Sequence, residues 1–85
     1  MHSVWGGDLM QKVLDLVKEE CFRADSLHGP LKFPHQAYGL MLEELDELWD
    51  EIKKKRENRN FNDMQREAIQ LAALAVRFIH DLCKE

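Results

Sequence analysis

Apolar side chains recur at intervals of three and four along most of the chain, the spacing that gives one face of an α-helix. The first such stretch predicts a helix over residues 8–24, with Leu9, Met10, Val13, Leu14, Val17 and Cys21 on one face and Asp8 of "GGD" as its N-cap. The pattern fails across "DSLHGPLKFPH", residues 25–35, where Gly29, Pro30 and Pro34 mark a loop, and Pro34 suits the first turn of the next helix. That second helix is expected over 34–55, with Leu40, Met41, Leu45, Leu48, Trp49 and Ile52 inward and the basic run "KKKR" at its negative end. A polar connector, "ENRNFND", in which Asn62 and Gln65 have the spacing of a capping box, leads into a third helix over 63–84. Its apolar arc, from Met64, Leu71, Leu74, Phe78 and Leu82 round to Ala68, Ala72, Ala75, Val76 and Ile79, is too wide for one neighbour to cover. The pattern predicts one all-α domain over 1–85: a three-helix chain whose bundle is completed by homo-oligomerisation, as a homodimer or a tetramer.

Composition narrows the partners. At 85 residues with 45% hydrophobic and 33% charged side chains, the chain is expected to fold but to bury only a modest core. The net charge of −4, without a basic stripe interleaved with aromatics, argues against a nucleic-acid polymer. No apolar run approaches the ~20 residues of a membrane span, and "MHSVWGGDL" lacks an export signal, so no membrane association is expected. Cys21 and Cys83 match no metal or redox spacing and read as reduced thiols of a cytoplasmic protein.

The stretch "EELDELWDE", residues 43–51, holds six carboxylates and no base. At about 100° per residue, Asp46 and Asp50 point away from the apolar sector of the second helix, and Glu43 nearly so. Glu44 falls inside that sector, between Ala37 and Leu40, with Glu51 beside it and Glu47 at the margin. In the third helix Glu67 lies within the arc of Leu71, Leu74 and Phe78, with Gln70 on the adjoining border. A buried carboxylate is costly unless paired or metal-bound. If the two helices pack antiparallel, Glu44, Glu47, Glu67 and Gln70 converge, neutralised either by Arg66 or Arg77 or by Mg²⁺, which takes oxygen ligands.

These residues resemble a known family, the all-α nucleoside triphosphate pyrophosphohydrolases of the MazG type. Their ExxE motif is matched by "ELDE", Glu44 to Glu47, completed to EExxE by Glu43; their second motif, ExxD, is matched by "EAIQ", Glu67 to Gln70. The likeness covers roughly residues 35–82 and departs where Gln70 replaces an aspartate, an amide oxygen that can ligate but brings no charge. What the resemblance implies is Mg²⁺-dependent hydrolysis of a nucleoside triphosphate to the monophosphate and pyrophosphate, water attacking the α-phosphorus. Glu44, Glu47 and Glu67 would be ligands, Gln70 a weak ligand or water holder, and Glu43 a base.

Three further residues are candidates for the substrate. His35 sits where it would meet a base or phosphate, or simply cap a helix; Arg77 would reach a phosphate or pair with Asp81; Trp5 would stack on a nucleobase or cover a subunit contact. The alternative function is a non-catalytic helical interaction protein that keeps the family fold with a decayed metal site. A di-iron bundle is disfavoured because no ExxH motif occurs.

Overall fold

The computed structural model describes residues 5–84, and all regular structure among them is helical. Three α-helices, α1 (Asp8–His28), α2 (Pro34–Ile52) and α3 (Phe61–Leu82), are joined by a short crossover and by a connector containing a 3₁₀ turn, Arg56–Asn58. None is long and apolar enough to cross a membrane.

The boundaries follow backbone chemistry more closely than side-chain periodicity. α1 runs one turn past the expected end at residue 24, because nothing in Asp25–His28 opposes a helix until Gly29, which stops it at φ 73° and donates its N–H to Asp25 O. Its N-cap is Gly7, with Asp8 in the first turn rather than capping. Pro34 occupies the first turn of α2 as expected. α2 stops at Ile52, short of residue 55, and the Arg59 Nε donates to the Ile52 carbonyl at 2.8 Å, satisfying a group the helix leaves unpaired. α3 starts earlier than expected: Asn60, extended at φ −119°, accepts from the N–H groups of Asn62 and Asp63, so the Asn62–Gln65 capping box is not the cap in use.

α3 is the central element, packing against α2 on one side and α1 on the other, while α1 and α2 do not pack against each other. Leu31, Ala37 and Leu74 form the buried centre, with Leu40, Met41, Phe78 and Leu82 against it. Further along α2, Glu44 and Glu47 lie against Glu67, nearer the start of α3, so α2 and α3 run antiparallel. α1 crosses α3 where both carry small residues, Ala24 and Ala73, and the Cys21 thiol donates to Ala73 O at 3.6 Å. Two α3 side chains one turn apart tie down the crossover: an Arg77 Nη donates to Gly29 O at 2.7 Å, and Asp81 accepts from the Leu31 N–H at 2.9 Å.

Much apolar surface stays outside this core. Phe78 packs as expected, but Trp49, also read as a packing residue, is 57% exposed. With Tyr38, Leu42, Leu45 and Ile52 it forms a seam spaced alternately four and three residues along the outer side of α2, which α3 is too narrow to reach. Phe61, Val76 and Ile79 are left exposed on α3 in the same way.

Candidate metal centre

The antiparallel contact of α2 and α3 brings Glu44, Glu47 and Glu67 together, each offering a carboxylate oxygen within 4.8 Å of the others. α2 supplies two of them from successive turns, and α3 supplies the third from the face it turns to α2. Glu44 and Glu67 are half-buried and Glu47 is exposed, so the cluster opens to solvent on the Glu47 side.

The electrostatics are those of crowded like charges. Burial, and then the neighbouring charges of Glu47 and Glu67, push the Glu44 carboxyl up to about 7. Glu47 is raised as well, first by its hydrogen bond to Glu67, then by burial and by the charges of Glu67 and Glu43. Gln70 eases the crowding: with its amide nitrogen turned inward it donates to Glu44 Oε2 at 2.9 Å and Glu67 Oε2 at 3.1 Å. Arg66, one of the two expected counter-charges, lies 3.5 Å from Glu67 but is itself 58% exposed and shared with Asp63 at 3.2 Å. Arg77, the other, turns to the Gly29 carbonyl instead.

The donor set fits Mg²⁺. Carboxylate oxygens are the hard, anionic donors this ion takes, and three of them lie within 4.8 Å of one another on flexible glutamate side chains that can draw closer. Three anionic oxygens also leave octahedral positions for water or phosphate, the arrangement this metal prefers.

The other anticipated residues are less centrally placed. Glu43 is exposed at the edge of the cluster, near enough for its charge to act on Glu47. Glu51, aligned with Glu44 and Glu47 on the helical wheel, is taken by Lys54 at 2.7 Å. His35 lines a separate groove with Pro34, Tyr38, Met41 and Phe78, none of which belongs to the cluster. Arg77 is buried and lines a small cavity that also touches Glu44 and Gln70. Trp5 lies exposed ahead of α1.

α1 brings two residues the sequence reading did not single out. Glu20 and Arg23, paired at 2.5 Å, line the same cavity as Glu44 and Gln70. A signal existed for Glu20: on the helical wheel it falls beside Val13 and Leu9, inside the apolar arc, by the criterion that marked Glu67. No family model matches the chain, and no curated protein or solved structure is significantly similar to it.

Proposed function

We propose that the chain is a Mg²⁺-dependent nucleoside triphosphate pyrophosphohydrolase of the MazG-like type. The observation that carries this reading is the meeting of Glu44, Glu47 and Glu67 within 4.8 Å across two helices, at the three positions where the resemblance places ligands. An ion bound there would draw charge from the triphosphate and make a water more acidic. Glu44, Glu47 and Glu67 would hold it, and Gln70 would turn its amide to offer oxygen or to orient a water. Glu43, exposed at the rim, would receive the proton as the water oxygen bonds to the α-phosphorus and the bond from the α-phosphorus to the bridging oxygen breaks, that oxygen leaving with the pyrophosphate.

The working unit in this proposal is a homo-oligomer. The seam of Tyr38, Leu42, Leu45, Trp49 and Ile52 has the spacing of a helix–helix contact, and pairing α2–α3 hairpins of two copies would make a four-helix bundle. Both cysteines are free, which suits a reducing, cytoplasmic compartment.

A second reading, a non-catalytic helical interaction protein, is favoured by one observation: the Gln70 amide already satisfies Glu44 and Glu67 without an ion. Incubation with a panel of nucleoside triphosphates and Mg²⁺, assayed for pyrophosphate, separates the two. Release abolished by Glu67→Gln supports the hydrolase; folded protein that turns over none of the panel supports the interaction protein.

A further inference from the structure

Two cavities meet at Gln70. The inner one, about 110 Å³, lies where the three helices converge and is walled by Glu44 of α2 and Arg77 of α3. The outer one, about 430 Å³, runs between α1 and the first half of α3 and is walled by Arg66. Glu20, Arg23 and Gln70 line both, so the two form adjoining parts of one cleft that starts beside the carboxylate cluster.

Both signs of charge line this cleft. The carboxylate cluster of Glu44, Glu47 and Glu67 lies at one end and Glu19 and Glu20 stand on the α1 wall, while α1 and α3 contribute three guanidinium groups, Arg23, Arg66 and Arg77. Arg77 is 7% exposed, and its Nε is buried with no hydrogen-bond partner among the described residues, which is unusual for an interior cation. Arg23 and Arg66 both have side chains more than half exposed and, among the described residues, pair with carboxylates of their own helix, Glu20 and Asp63 one turn away and Glu67 next along the chain. A phosphate, with more charge and a geometry matched to the guanidinium fork, competes well against such partners.

A free polyanion entering here would be repelled by Glu44 and Glu67, and a lone cation would gain nothing from the arginine wall. A polyphosphate already complexed to a divalent ion satisfies both. We infer that the α1–α3 cleft binds the phosphate chain of a metal-complexed polyphosphate, and that Arg23, released from Glu20, is the residue that grips it. This rests on the metal-site reading above and adds to it a ligand-binding role for α1.

The test is calorimetric titration of the whole chain with Mg²⁺ alone and with inorganic tripolyphosphate in excess Mg²⁺. Arg23→Gln is expected to weaken tripolyphosphate binding about tenfold through loss of a charge-assisted bond, while Mg²⁺ alone binds as before. Arg23→Lys, which keeps charge but not the fork, is expected to fall between. Glu20→Gln is expected to tighten tripolyphosphate binding about threefold, because Arg23 loses its competitor. Arg23→Gln binding as tightly as the parent, or Glu20→Gln leaving affinity unchanged, overturns the inference, since a plain surface ion pair would behave so. Mg²⁺ binding without tripolyphosphate binding also overturns it and leaves the metal centre standing; failure to bind Mg²⁺ at all removes both.

Discussion

Gln70 reaches across from α3 to Glu44 on α2, and with its amide turned nitrogen-inward it donates to Glu44 Oε2 at 2.9 Å. A neutral donor here lowers the repulsion among Glu44, Glu47 and Glu67 in the metal-free protein, yet it adds no charge for an ion to use. Gln70→Asp reverses that balance. The substituted protein is expected to melt at a lower temperature without metal and to bind Mg²⁺ more tightly by on the order of tenfold, from one added charge at the site. Thermal melts and Mg²⁺ titrations of the two proteins check this. A variant destabilised equally with and without Mg²⁺ would show that Gln70 serves the fold alone.

The Glu44 carboxyl makes stability depend on pH. Its pKa rises from an ordinary 4.5 in the unfolded chain to about 7 in the folded one, so the native state holds the proton longer. Its stabilisation is complete below about pH 4.5 and is lost as pH rises through about 7. Mg²⁺ must displace that proton, so its affinity is expected to climb with pH over the same window and level off above it. Melts from about pH 5 to pH 8 test both limbs. Without metal the midpoint should fall with pH, Glu44→Gln should flatten that slope, and saturating Mg²⁺ should restore the midpoint at the alkaline end. A metal-free midpoint that climbs across this range would contradict the crowding of the cluster.

The cluster was legible because charge sat where periodicity demanded apolar residues. Glu44 and Glu67 break their helices' apolar arcs, and the antiparallel packing that unites them follows from a short connector. The part supplied by α1 was not, since the wheel of one helix says which residues face inward but not which neighbour they meet. Glu20 broke its arc too, but only the crossing of Ala24 over Ala73 places it beside Glu44. Arg77 was read from its own helix as a partner for Asp81 or a phosphate. Its bond to Gly29, 48 positions away, depends on where the crossover lies, and local spacing carries no record of that.

The Asp81 carboxylate, held below its usual range first by His80 and then by the N–H of Leu31, acts in the opposite sense to Glu44. Its contribution is present above the unfolded value of 3.8 and is lost as pH falls through the lower folded value. Asp81→Ala leaves the Leu31 N–H without its acceptor beside the core, at a cost of about 1–3 kcal/mol. Denaturant melts near neutral pH should show that loss, and the gap between the two proteins should narrow below about pH 4 as the parent's carboxylate protonates. A gap independent of pH would assign the effect to lost packing rather than to the anchored crossover.

The outer seam of α2 tests the oligomer apart from the chemistry. Leu45 and Trp49 lie in the middle of that seam, 49% and 57% exposed, with Tyr38 and Ile52 at its ends. Buried against a second copy they would be central anchors, and a charge at Leu45 would then be left unpaired inside a dry contact. Sedimentation of the parent should therefore give a multiple of the 10.0 kDa chain, and Leu45→Lys should weaken association at least about thirtyfold. The three carboxylates all come from one chain, so the same variant should still bind Mg²⁺. A parent that sediments as a monomer at high concentration would mean that this seam is not covered by a second copy.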